Sequence, residues 1–292
     1  MDYVAEMKNL PKNHDFFIGY DSDGCIFDTM EIKQKECFCP NFIKHFGLQA
    51  ASKYAREVWI FVNLYSKTRG CNRFLAVQHA LAFMRKHPEF AKRGVKIGDY
   101  NSLNAWIKEE SKLGNPALEA KVAAGGDQEL AAVLKWSHEV NAAIADMVFG
   151  IPPFPGVKDI LAKAQGKADQ IVVSQTPLEA LAREWKENKI DHYLGMICGQ
   201  EHGTKTEHLK YTTTGKYDPD KVLMIGDAPG DLKAAKANNA LFCPIVPGRE
   251  EESWAKLNEE GLDRFFNGSY AGAYQESLLD DFDKALPEQP SW

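Results

Sequence analysis

Two rhythms of hydrophobic and polar positions divide the chain. Near its start, Phe-Phe-Ile-Gly-Tyr over Phe16 to Tyr20 is an unbroken apolar run that ends abruptly in Asp-Ser-Asp-Gly. That is the pattern of a strand buried on both faces and opening into a loop at its carboxyl end. From Thr29 to about Pro153 apolar residues recur instead at helical spacing, as in Val58, Phe61, Val62 and Tyr65, or Leu130, Val133, Leu134, Val140, Ile144 and Val148. This stretch predicts an all-helical insertion, divided at His87-Pro88, Gly114-Asn115-Pro116 and Gly125-Gly126 and closed by the stiff segment Ile151-Pro-Pro-Phe-Pro-Gly156.

Beyond that segment strand and helix patterns alternate. Helices are predicted over Val157 to Ala164, Leu178 to Asn188, Thr206 to Tyr211 and Asp231 to Asn238; strands over Gln170 to Val173, Leu194 to Cys198, Val222 to Ile225 and Leu241 to Val246. Such alternation predicts an α/β fold, a Rossmann-like parallel sheet with helices on both faces and right-handed crossovers. The expected division is a sheet core from residues 1–28 and 154–292 and a helical domain from 29–153. Ligands of such sheets bind beyond the carboxyl ends of the strands. The final stretch, Ser269 to Trp292, carries Tyr270, Tyr274, Leu278 and Leu279 and is expected to pack against the core or a partner.

Composition narrows the class without naming a function. A chain of 292 residues with 44% hydrophobic and 26% charged positions is long enough for about two globular domains and is not of a disordered type. Its net charge of −6 gives no basic footprint for nucleic acid or an anionic membrane, and no apolar run reaches signal-peptide or membrane-spanning length. A cytoplasmic location, with no nucleic-acid or membrane partner, is the resulting expectation. Cys25, Cys37, Cys39, Cys71, Cys198 and Cys243 form no Cys-x-x-Cys pair and are read as reduced packing residues.

The chemistry lies at the strand ends. Asp21, Asp23 and Asp28 surround Gly24 directly after the first strand, and Gly226-Asp227-Ala-Pro-Gly-Asp231 follows another. Carboxylates crowded beside buried strands are costly unless a cation neutralises them. Two such clusters on one sheet can converge on a hard cation, and Mg²⁺ prefers oxygen ligands with water and a substrate phosphate completing its shell. Between them lie Ser174, at the end of a predicted strand, and Lys205. A hydroxyl, free amides and an ammonium are what the oxygens of a transferring phosphoryl group require.

The order Asp21/Asp23, Ser174, Lys205, Asp227/Asp231 resembles the four motifs of the haloacid dehalogenase-like hydrolase superfamily over about residues 14–28 and 155–248. The resemblance implies that superfamily's Rossmann-like core, with the helical insertion as a type-one cap. It further implies Asp21 as the nucleophile that forms an aspartyl-phosphate and Asp23 as the general acid/base. Ser174 and Lys205 match the phosphate-binding positions, Gln175 beside them is a candidate substrate contact, and Asp21, Asp23, Asp227 and Asp231 are the implied Mg²⁺ ligands. Dehalogenase members lack a carboxylate two positions after the nucleophile and ion pumps carry Thr there, so Asp23 points to a phosphatase or phosphomutase. Cys25, where members commonly have Thr, and Gln175 depart from the pattern.

Since the core handles only the phosphoryl group, the remainder of a small phosphorylated metabolite falls to the cap. Ser66-Lys67-Thr68-Arg69-Gly70-Cys71-Asn72-Arg73 is the candidate specificity loop, with Lys67, Arg69, Asn72 and Arg73 as substrate contacts. A Mg²⁺-dependent phosphatase is the leading expectation. The alternatives are a phosphomutase of the β-phosphoglucomutase type, motivated by Arg69 and Arg73, and a catalytically idle fold that binds a partner.

Overall fold

The computed structural model describes residues 2–292. Five parallel strands, β1 (Phe16–Tyr20), β2 (Ala168–Val173), β3 (Met196–Cys198), β4 (Val222–Gly226) and β5 (Leu241–Pro244), form one sheet in the order β3-β2-β1-β4-β5. This is the α/β parallel architecture that the alternation predicts. The predicted strands Leu194 to Cys198 and Leu241 to Val246 are shorter in the structure. They become β3 and β5, the sheet edges, each with a single strand to pair with.

Side chains alternate across the sheet as strand geometry demands. Ile18, Tyr20, Val172, Leu223 and Ile225 face one layer, with the helices Val157–Ala164 and Leu178–Glu187 and the side chains of Trp254 and Phe265. Phe17, Ile171, Val173, Met224 and Phe242 face the other, with the helices Lys205–Thr213 and Pro229–Ala237. Gly19 belongs to this second face. A Cβ there would lie 3.0 Å from Val173 Cγ2 and 3.3 Å from Leu209 Cδ2, so its missing side chain lets the helix that carries Lys205 approach β1 closely.

The chain divides into two compact units: one holds the residues up to Met30 together with Gly150–Leu286, the other Glu31–Phe149 together with Pro287–Trp292. The second unit is all helical around its own core, in which Phe42, Trp59, Phe74, Trp106 and Trp136 are buried. The C-terminal stretch differs from the expected 154–292 boundary. The helix Ala273–Ala285 lies along β5, burying Phe282, and Gln275 Oε1 accepts from Phe242 N at 2.8 Å. Pro287–Trp292 instead belongs to the helical unit. There Pro287 O accepts from Lys67 N at 3.3 Å and the Trp292 ring sits 5.4 Å from each of Phe61 and His87. Apolar residues in the tail left open whether it packs on the core or a partner, and a strand-and-helix pattern carries no sign of which core an end segment joins.

Candidate active site

Strand order sets the site. Because β1 is central and pairs with both β2 and β4, the residues that follow these three strands emerge side by side at one edge of the sheet. They are Asp21, Ser174 and Asp227. The ladder continues into the loops, with Asp21 N donating to Ile225 O at 2.9 Å and Ser174 N donating to Cys198 O at 3.0 Å. The chain reverses its direction of growth between β1 and β4, the position at which open α/β sheets leave a crevice.

Three carboxylates meet there. Asp21, Asp227 and Asp231 each offer an oxygen within 4.8 Å of the others, and all three residues are buried. Asp231 is brought in by its helix: at the first turn of Pro229–Ala237 its Oδ2 accepts from Asp227 N at 3.1 Å and Ala228 N at 3.0 Å. Gly226 makes room for it, since a Cβ at that position would lie 2.5 Å from Asp231 Cβ. Lys205, at the start of its own helix, places Nζ 2.8 Å from Asp21 Oδ2 and 2.6 Å from Asp231 Oδ1. Asp21 Oδ1 accepts from Ser22 N at 2.8 Å.

One ammonium among three buried carboxylates leaves the cluster short of positive charge. Burial raises the Asp21 carboxyl well above its ordinary range, the Asp231 and Asp227 charges push the same way, and Lys205 opposes them. Burial works against the Lys205 ammonium too, but the ion pairs with Asp21 and Asp231 outweigh it and raise its pKa, so it stays charged. A divalent cation would supply the missing charge, and an all-carboxylate donor set suits Mg²⁺ rather than a softer metal. The residues present therefore fit the ion, with Asp21 and Asp227 as its carboxylate holders. Asp231 stands in the same cluster and also braces it from behind, its Oδ1 facing Lys205 and its Oδ2 the two amides.

The carboxylate of Asp23 is held by two hydroxyls. Its Oδ1 accepts from Thr29 Oγ1 at 2.5 Å and its Oδ2 from Thr176 Oγ1 at 2.7 Å. Asp28 is exposed, while Ser22, between Asp21 and Asp23, is buried, its Oγ accepting from Trp185 Nε1 at 3.1 Å. Cys25 is buried with its thiol directed at Ile225 O, 3.7 Å away, and burial pushes its pKa well up, so the departure from Thr is a packing change. Gln175 bridges two loops, its Nε2 donating to Gly203 O at 2.7 Å and to Ser174 O at 3.2 Å.

The loop expected to grip substrate is largely spent on its own unit. Arg69 is buried and donates to Leu64 O at 2.9 Å. Arg73 donates to Ser137 Oγ at 2.9 Å and Asn141 Oδ1 at 2.7 Å, and its guanidinium lies 5.0 Å from the Phe38 ring centre. Asn72 caps the helix Arg73–Lys86 through Phe74 N at 3.0 Å, and Lys67 holds Pro287 O by its backbone amide. Cations in a Gly-containing loop look alike in sequence whether they face a ligand or a buried carbonyl. The sequence reading missed Thr29 and Thr176, whose signal is a hydroxyl residue directly after Asp28 and two places after Ser174.

Among the described residues no helix is long and apolar enough to cross a membrane. No curated protein matches the chain in sequence. The family model for haloacid dehalogenase-like hydrolases matches residues 100–245, half of the chain, including Ser174, Lys205, Asp227 and Asp231. Three solved structures are similar in fold. One, described as a candidate phosphoglycolate phosphatase from Lactobacillus delbrueckii subsp. bulgaricus, is 16% identical, with 89% of this chain and 100% of that chain covered and a TM-score of 0.50. A superfamily hydrolase of subfamily IA from Geobacter sulfurreducens is 13% identical, covering 80% and 88%, with a TM-score of 0.45. The hydrolase YfnB from Bacillus subtilis, bound to magnesium, is 13% identical, covering 85% and 100%, with a TM-score of 0.43.

Proposed function

Since the chain belongs to the haloacid dehalogenase-like hydrolases, we propose that it is a Mg²⁺-dependent phosphatase that hydrolyses a small phosphorylated metabolite through an aspartyl-phosphate on Asp21. The observation that carries this reading is the convergence of Asp21, Asp227, Asp231 and Lys205 at the carboxyl ends of β1 and β4. Mg²⁺ held by Asp21 and Asp227 would offset phosphate charge and let the anionic nucleophile meet an anionic substrate.

The remaining work falls to the chain. A carboxylate oxygen of Asp21 attacks phosphorus as the bond to the leaving oxygen breaks, and Asp23 gives that oxygen its proton. Asp23, now a carboxylate, takes a proton from water as the water oxygen attacks phosphorus. The bond between phosphorus and the Asp21 oxygen then breaks, releasing inorganic phosphate and restoring both side chains. Ser174 Oγ and Lys205 Nζ hold the equatorial oxygens, and Lys205 also fixes the nucleophile.

The helical unit inserted between β1 and β2 is read as the cap that selects the substrate. With Arg69 and Arg73 engaged internally, nothing in the loop favours the phosphomutase alternative. Six free cysteines suit a reducing, cytoplasmic setting. The test is phosphate release from phosphorylated sugars, sugar acids and nucleotides with and without Mg²⁺. Release that needs the ion and disappears in Asp21→Asn supports the reading; release that persists in the variant overturns it.

A further inference from the structure

Thr176 stands two residues beyond Ser174 in the loop that leaves β2, and three contacts fix it. Its amide donates to Ser174 Oγ at 3.2 Å, its carbonyl accepts from Gln200 N at 3.1 Å, and its hydroxyl donates to Asp23 Oδ2 at 2.7 Å. The loop after β3 presses on it as well, because a Cβ on Gly199 would lie 2.8 Å from Thr176 O. With its backbone held at both ends and a β-branched side chain stiff at χ1, the residue aims its hydroxyl in one direction. Asp23, meanwhile, is 153 positions away in sequence and reaches it only through the β1–β2 pairing.

Proton counting divides the labour between the two hydroxyls. Ser174 Oγ accepts from the Thr176 amide, which leaves its own proton for a phosphate oxygen. The single hydroxyl proton of Thr176 goes to Asp23. Because a hydroxyl both donates and accepts, it remains a partner of Asp23 whether that group carries a proton or not. The loop that grips phosphate therefore also sets the direction of the acid. We propose that Thr176 is a positioning residue, aiming Asp23 at the leaving oxygen of a phosphate held by Ser174. This inference rests on the reading of Asp23 as the general acid.

Its effect should scale with how much acid assistance the leaving group needs. An alkoxide needs a proton as it departs, whereas p-nitrophenolate leaves without one. The test compares kcat/KM for an alkyl phosphate and for p-nitrophenyl phosphate in the wild type, in Thr176→Val, which removes the hydroxyl but keeps shape and amide, and in Thr176→Ser, which restores it. The expected result is a loss of about 30-fold on the alkyl ester and under about 3-fold on the aryl ester in the Val variant. The loss should lie in kcat rather than KM, with most activity recovered in the Ser variant. Equal losses on both esters, or none on either, would overturn the proposal. Crystal structures of the wild type and the Val variant provide a readout free of turnover: the Asp23 carboxylate should turn from its place, and an unmoved carboxylate refutes the positioning role. If the wild type releases phosphate from no compound, the phosphatase reading fails, and the crystallographic comparison still decides the role of Thr176.

Discussion

Lys205 Nζ lies 2.6 Å from Asp231 Oδ1 and 2.8 Å from Asp21 Oδ2. The ammonium is thus shared between the candidate nucleophile and a residue that braces the site, and its position is set from behind. Asp231 in turn is fixed by the amides of Asp227 and Ala228, so a helix N-terminus, a lysine and a nucleophile form one connected unit.

Removing Asp231 should break that unit. In Asp231→Ala the amides of Asp227 and Ala228 lose their acceptor and the Lys205 ammonium loses one of its two carboxylate partners, which is expected to cost about 2–4 kcal/mol in urea denaturation. A loss under about 1 kcal/mol would show that the bracing contributes nothing.

Gly226→Ala attacks the same relationship sterically. The added methyl would meet Asp231 Cβ at 2.5 Å and Cγ at 2.6 Å, and Asp231 is held too firmly to yield. Destabilisation of about 1–3 kcal/mol together with loss of phosphate release is expected, measured by denaturation and by phosphate assay. Wild-type activity in this variant would mean that the aspartate has room to move.

The charge deficit predicts that Mg²⁺ stabilises the protein. At a concentration about 100 times its dissociation constant the ion should add about 2.7 kcal/mol, seen in calorimetry as a Tm that rises with Mg²⁺ and falls on chelation. Asp227→Asn should abolish the response. A Tm indifferent to Mg²⁺ in the wild type would refute the site.

Arg73→Ala separates two roles. With its contacts to Ser137, Asn141 and Phe38, and with burial lowering its pKa to about 10, the residue is still charged at neutral pH and serves packing. A stability loss of about 2–4 kcal/mol with little change in KM is expected. A raised KM at unchanged stability would return it to substrate binding.

His208 makes stability depend on pH. It is buried in the helix Lys205–Thr213, and burial, aided by the nearby His202 and Lys205, lowers its pKa from 6.5 to about 4. Between those values the unfolded chain binds the proton and the folded one does not. Stability should therefore be complete above pH 6.5 and fall by up to about 3 kcal/mol towards pH 4. Urea titrations of the wild type and His208→Phe at several pH values check this; the same slope in both would remove His208 as the cause.

Much of the candidate site is legible in the chain because strands end where their hydrophobic runs end. Tyr20, Val173 and Gly226 close β1, β2 and β4, and the next residues, Asp21, Ser174 and Asp227, carry the candidate chemistry. Lys205 and Asp231 follow similarly from helix starts. Arg69 and Arg73 show the limit of that reading, because polarity records that a side chain needs a partner, and not whether that partner is a substrate or a group within the chain.

The sequence by itself determined the parallel α/β plan, the helical insertion and the residue types at the strand ends, since hydrophobic periodicity and turn chemistry are local properties. Only the tertiary structure decided that Asp231 braces Lys205, that Thr29 and Thr176 hold Asp23, and that Pro287–Trp292 joins the helical unit. These depend on which strands lie side by side and which cores meet a given segment. Such contacts join residues as far apart in sequence as Asp23 and Thr176 or Phe61 and Trp292, separations over which no local pattern carries information.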